Sequence, residues 1–313
     1  MNGNEGESKD MSIDMETVDV DKYIDEDTGM PMAKVNLRYH TVYSNKQIKA
    51  FQRKLEGDRV AKKRGKNYVN CIDEPIRIAT TKAIGNELGA LFIILHYMQL
   101  GKGGLLIKRG KPATLADIAN MIGKSERQTA RVVNKLDKLG IVLKDGGNRD
   151  MKYIINEEYF IMGAFEGGWE GRGMFARLYQ LHSRTSKLKK ITMEDANILL
   201  RILPWFHYQK YYLCSNPYEP NPDEVHHLNE SELAEIIGVH RNTLSARMAN
   251  LVKAGYILKT IGIGKAYFFQ VNPDIMSREV DPNSEDAKVL RQHFAELEKI
   301  DAKAELLKEY GLQ

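Results

Sequence analysis

Cysteine is nearly absent: the 313 residues contain two, Cys71 and Cys214. Two isolated thiols build neither a disulfide framework nor a zinc site, and they read as free thiols in a reducing compartment. No uninterrupted apolar run reaches the ~18–20 residues that a membrane-spanning helix needs. The densest, Leu88 to Leu100, is broken by Gly89, His96 and Gln99. No basic-then-apolar leader opens the chain, so an intracellular, cytoplasmic protein is expected. Catalytic signatures are missing as well, with no H-E-x-x-H and no G-x-S-x-G. Gly110-Lys111 is followed by Pro112, and Leu105 stands where a phosphate-cradling loop needs its first glycine. His226 and His227 are adjacent and cannot reproduce a His-hydrophobic-His metal motif. These absences predict no enzyme activity, no catalytic residue, no metal, no cofactor and no small-molecule ligand.

What is present is an ordinary soluble composition, 42% hydrophobic and 28% charged, in a length that holds about two domains. Charge is unevenly placed. Residues 1–30 hold ten acidic side chains against Lys9 and Lys22, and residues 31–70 hold eleven Lys and Arg against Glu56 and Asp58. The acidic arm, 1–33, lacks apolar periodicity and is expected to be disordered, as a solvated tail or as a phosphate mimic. In the basic extension, 34–78, the pattern predicts a strand over Val35–Val42 and a helix over Asn45–Leu55. Lys62, Lys63, Arg64 and Lys66 there are candidates for non-specific phosphate contact.

Residues 229–273 carry the most informative pattern. Leu233, Ala234, Ile236 and Ile237 form one helix, Gly238 supplies a turn, and His240 or Arg241 starts a second helix with Leu244, Met248 and Leu251 inward. Tyr256–Leu258 and Tyr267–Val271 then read as a hairpin. Thr114–Lys144 lies on Asn229–Lys259 without a gap when shifted by 115 residues: Ala119 meets Ala234, Gly123 meets Gly238, Leu136 meets Leu251 and Gly140 meets Gly255. Ser125 and Gln128 make a capping box in this first copy, and Thr129, Val133, Leu136 and Leu139 face inward. Asp145-Gly-Gly-Asn148 is a hairpin turn.

An apolar helix is predicted ahead of each copy, Thr80–Leu100 and Thr192–Phe206, with a short strand at Leu105–Ile107. Phe175, Leu178, Tyr179 and Leu181 start another helix in a basic linker. Tyr208, Tyr211 and Tyr212 either stack on bases or fill the core. Pro282–Gln313 reads as a charged helix with Val289, Phe294, Leu297, Ile300, Leu306 and Leu307 as its stripe, packed on its own domain or pairing two chains.

The string G-V-x-R-N-T-L-S at Gly238–Ser245 resembles the winged helix-turn-helix family. The resemblance implies a mainly α fold with small β-hairpin wings (α+β), as two winged helix-turn-helix domains in tandem. The boundaries expected are 79–163 for domain one, 164–190 for a basic linker, 191–279 for domain two and 280–313 for the C-terminal helix. The implied partner is double-stranded DNA, read in the major groove by the second helix of each copy, in a nucleoid-associated protein. Candidate contacts in the second copy are His240, Arg241, Asn242, Thr243, Arg247 and Asn250, with Lys259 and Lys265 on the wing. In the first copy they are Ser125, Arg127, Gln128, Arg131, Asn134 and Lys135, with Lys144, Arg149 and Lys152 on the wing. Closer agreement with the family string makes the second copy the expected main base reader. The layout is similar to transcription regulators of phages and mobile elements, the first expectation. It is also similar to plasmid or phage replication initiators, loosely to the RepL group by the Asn272-Pro273 ending. A protein-interaction adaptor is the third reading, and a homodimer through the C-terminal helix is a further expectation.

Overall fold

The computed structural model describes residues 21–24, 31–34, 67–83, 85–147, 150–163, 173–180, 188–261, 267–278 and 284–309. The chain divides into two units, Met1–Arg53 and Lys54–Gln313. In the first, β1 (Asp21–Ile24) and β2 (Pro31–Lys34) pair antiparallel, Asp21 opposite Lys34. The expected strand over Val35–Val42, the helix over Asn45–Leu55 and the basic cluster Lys62, Lys63, Arg64 and Lys66 lie outside the described residues. So do Arg149 and Lys265.

The second unit is a mixed α/β structure with several two-stranded hairpins. Strand β3 (Tyr68–Ile72) leads into α1 (Asp73–Lys82) and α2 (Glu87–Leu95). The single helix expected over Thr80–Leu100 is therefore two. Ala83 is extended and Gly85 has φ +114°, which ends α1. A small hairpin follows, β4 (Ile107–Lys108) with β5 (Lys111–Pro112). Then come α3 (Leu115–Ile122), α4 (Glu126–Lys138), the hairpin β6 (Val142–Asp145) and β7 (Lys152–Ile155), and β8 (Phe160–Ile161).

Strand β9 (Phe175–Tyr179) opens a second series. It continues through α5 (Met193–Ile202), α6 (Glu230–Ile236), α7 (Arg241–Lys253), the hairpin β10 (Ile257–Ile261) and β11 (Tyr267–Val271), and β12 (Met276–Ser277). α8 (Glu285–Glu309) ends the described chain. The helix expected to start at Phe175 is thus a strand. Its apolar spacing imitates a helix, but pairing with β3 holds it extended and buries Ala176 and Leu178 on one face. Among the described side chains of α8, Ala287, Leu290 and Phe294 are buried, whereas Val289 and Leu297, expected in the apolar stripe, are exposed; Ile300, Leu306 and Leu307 lie outside the described side chains.

Local chemistry explains the helix starts. Thr114 with Asp117, Ser125 with Gln128, Thr192 with Asp195 and Asn229 with Glu232 each form a reciprocal capping box that satisfies otherwise orphaned N–H groups. Gly123 and Gly238 close α3 and α6 at φ +65° and +67°, a left-handed turn that glycine adopts without strain.

The two series share their hydrogen bonds. Lys124 and Val239 donate to the carbonyls of Ala119 and Ala234, and Ile141 and Tyr256 to those of Leu136 and Leu251. Asn156 Nδ2 donates to Gly140 O and Asn272 Nδ2 to Gly255 O, both at 2.8 Å. A segment ahead of each helix pair adds to the hairpin edge. Ile155 donates to Gly104 O and Val271 to Tyr211 O, while Leu106 and Leu213 donate to the carbonyls of Tyr153 and Phe269. Gly104 and Tyr211 occupy equivalent places, and both have positive φ, +72° and +61°.

The central sheet runs β12-β9-β3-β8. A shift of 107 residues carries Tyr68–Ile72 onto Phe175–Tyr179, and a shift of 116 carries Phe160–Ile161 onto Met276–Ser277. Asn70 pairs with Ile161 and Cys71 with Phe160; under those shifts the pairs become Arg177 with Ser277 and Leu178 with Met276, which are the pairs found. Strands β3 and β9 pair antiparallel about Asn70 and Arg177, Tyr68 opposite Tyr179 and Ile72 opposite Phe175. The two series are therefore related by an internal approximate two-fold.

Helices α2 and α5 make the most extensive helix–helix contact, and one continuous core includes Leu91, Leu95, Leu136, Leu199, Ile202 and Leu251 from both series. Asn86 Nδ2 donates to Glu194 Oε1 at 2.9 Å beside the crossing. Gly89 sits where a Cβ would lie 1.9 Å from the carbonyl oxygen of Met193. Gly89→Ala should therefore destabilise the fold by about 1–3 kcal/mol, the usual range for overpacking. Thermal denaturation checks it, at roughly 2–4 °C per kcal/mol for a unit of this size. An unchanged Tm would mean that the crossing has slack.

Candidate nucleic-acid interface

Helix α4 is held by Thr129, Val133 and Leu136, all buried. At about 100° per residue, the face opposite Thr129 carries Arg127, Arg131, Asn134 and Lys138, all exposed, over about 16 Å of helix. Arg127, Arg131 and Lys138 have no ion pair among the described residues. Asn134 already accepts a hydrogen bond from Lys144, and the remaining described candidates in this copy are engaged as well. Ser125 and Gln128 bond each other in the cap. Lys135 lies 3.6 Å from Glu87, which is buried at the start of α2. Lys144 donates to Asn134 at 2.9 Å and pairs with Asp137 at 3.1 Å, and Lys152 is 4.0 Å from Asp145.

Helix α7 rests on Leu244, Met248 and Leu251 and exposes Arg241, Asn242 and Thr243 at its start. His240 caps it, Nδ1 accepting the Asn242 N–H at 3.3 Å. Arg247 and Asn250 both reach Asp195 on α5; Arg247 is half-buried there and Asn250 stays exposed. Asp195 Oδ1 is 3.5 Å from Arg247 and accepts from Asn250 at 3.3 Å, while Asp195 Oδ2 accepts from the Thr192 N–H and hydroxyl. Lys259 is 3.6 Å from Glu230 and lies 4.1 Å over the Tyr267 ring. Shifted by 115 residues, the outer face of α4 becomes Asn242, Ala246, Ala249 and Lys253, all exposed. The fuller cationic face is thus on the first copy, although the family string is on the second. Lys138 was missing from the sequence candidates; its spacing from Arg127 and Arg131 was the signal that it shares their face.

The segment behind the second hairpin is packed. Tyr211 is buried and its hydroxyl is 3.1 Å from Ser277 Oγ. His226 is exposed, and His227 lies half-buried against the rings of Tyr212 and Phe268. Both cysteines are buried free thiols, and burial pushes Cys214 up to about 12. No group of three or more His, Cys, Asp or Glu among the described residues is placed to hold a metal, and no described helix is long and apolar enough to cross a membrane. Comparisons with family models, curated proteins and solved structures find no match to this chain.

His207 is fully enclosed: Nδ1 accepts the N–H groups of Gln209 and Lys210, and Nε2 bonds Glu219 O at 2.8 Å. Burial lowers its pKa, so the folded protein holds it neutral. The unfolded chain then binds more protons below its ordinary pKa of about 6.5, and stability falls as pH drops through that value. Tm measured from pH 7.5 to 5 should fall more steeply in the wild type than in His207→Gln. Parallel curves would remove His207 from the pH dependence.

Proposed function

We propose that this chain is a sequence-specific double-stranded DNA-binding protein built from two winged helix-turn-helix modules, acting in transcription control of a phage or mobile element. The observation that carries the reading is the outer face of α4, where Arg127, Arg131, Asn134 and Lys138 stand together and the three cations have no ion pair among the described residues. A helix of this kind fits a major groove, and arginine and asparagine are the side chains that bond base edges bidentately. The element order supports it in both copies: helix, short strand segment, two helices about a glycine turn, then a hairpin whose last strand pairs with the first segment.

Charge pairing separates the contributors. Lysines 135, 144, 152 and 259 face acids of the same copy, so they add little net field. Arg127, Arg131 and Lys138 release counterions when they meet phosphate, and Arg241 does so from α7.

The test is binding of the full chain to mixed-sequence duplex DNA over a salt series. Arg131→Ala and Lys138→Ala should each weaken binding and lower the salt slope by about 1. Arg247→Ala should leave the slope unchanged, because Asp195 already holds that guanidinium. Slopes indifferent to the α4 variants would sink the proposal. Carried with its flanking DNA on a plasmid without an origin, the gene should alter reporter expression; autonomous replication would assign an initiator role instead.

A further inference from the structure

The β12-β9-β3-β8 sheet reads the same from both ends. Its central pair joins equivalent strands, and its outer pairs repeat one register. The helices that cross beside it, α2 and α5, are again the same element of each copy, and they meet in their first turns at Gly89 and Met193. Joining like to like is the isologous arrangement that a two-fold produces; head-to-tail joining would use two different surfaces. Antiparallel neighbours in a sheet are related by an axis normal to it, so this axis passes between Asn70 and Arg177 and out through the α2–α5 crossing. Helices α4 and α7 each pack on their own leading helix. One position anchors both: Lys135 meets Glu87, and Asn250, 115 residues later, meets Asp195. A two-fold places the two helices at equal height on its axis, each facing away from its own leading helix's partner in the same way.

Duplex DNA has two-folds of its own, and a protein two-fold is matched by an inverted arrangement of half-sites. We propose that one monomer occupies an inverted pair of half-sites on a single duplex, with α4 in one major groove and α7 in another on the same side. This rests on the DNA-binding reading above. The pair is imperfect in sequence, because Arg127, Arg131 and Asn134 are replaced on α7 by Asn242, Ala246 and Ala249. The α4 half-site holds the larger share of phosphate contacts, and Arg241 anchors the α7 half-site.

Selection by the full chain from a library of random 30-base-pair duplexes tests this, followed by native mass spectrometry and hydroxyl-radical footprinting on the enriched sequence. The expected result is an imperfect inverted repeat with half-site centres about 10 base pairs, or a multiple, apart, bound by one chain. Arg131→Ala should erase protection over one half-site and spare the other, and Arg241→Ala should do the reverse. A direct repeat, one half-site per chain, or loss of both half-sites together would overturn the inverted-pair assignment. If mixed-sequence binding still depended on Arg131, the DNA-binding reading would survive that result. If no duplex were enriched and the salt slope ignored Arg131, both would fall.

Discussion

Two helix backbones meet at Gly89 with no side chain between them, and the arrangement of the second unit follows from that contact. Any Cβ there would strike the Met193 carbonyl. The close crossing brings α2 and α5 together on the axis that also relates β3 to β9. Each leading helix then carries its own glycine-turn helix pair outward. Two long-range links hold the ends in place. Arg201, buried in α5, donates to the carbonyls of Thr80, Ala83 and Ile237, capping the ends of α1 and α6 with one guanidinium. Arg278 pairs with Asp73 at 2.6 Å across 205 positions of sequence and also bonds Tyr218 and Leu203 O. Removing one partner of such a buried pair leaves an uncompensated charge, which costs about 3–5 kcal/mol.

The symmetric frame carries asymmetric surfaces. In both copies an acid at the start of the leading helix, Glu87 or Asp195, engages the helix that the glycine turn presents. In the first copy that contact takes Lys135, at the edge of α4, and leaves the arginines outside. In the second it takes Arg247, so α7 keeps a cation only near its two ends, Arg241 and Lys253. Counting basic residues along each helix therefore misjudges the field. What matters is which of them the fold has already neutralised.

The helix–turn–helix–hairpin stretches were legible in sequence because each residue there reports on local geometry. Ser125 and Gln128 sit three apart because a cap needs that spacing, and Leu244, Met248 and Leu251 recur with the helical period. The 115-residue self-match exposed the duplication without reference to any other chain. The central sheet was not legible. β8 and β12 are two residues long, too short to show alternation. β9 has apolar residues spaced as in a helix, and only its pairing with β3 and β12 makes it a strand. The role of Arg201 was hidden too: its partners are backbone carbonyls 36 to 121 residues away, and carbonyls carry no sequence signal. At the candidate interface, sequence found the exposed side chains of the outer face except Lys138, but pairing of Arg247, Lys135 and Lys144 with acids is a tertiary fact.

Joining two like modules in one chain changes what substitution can do. In a symmetric pair of separate chains, every change appears on both sides of the axis. Here Gly104 and Tyr211 share a positive-φ position, yet only the second carries a side chain, whose hydroxyl reaches Ser277 on the outer strand of the sheet. A non-glycine residue in that region is strained by roughly 1–3 kcal/mol. Burial of the Tyr211 ring against Phe206 offsets that strain in one copy without imposing it on the other. The same freedom separates α4 from α7. Covalent linkage keeps the two-fold frame that positions the helices, and it lets one outer face become cationic while its counterpart stays small and nearly neutral.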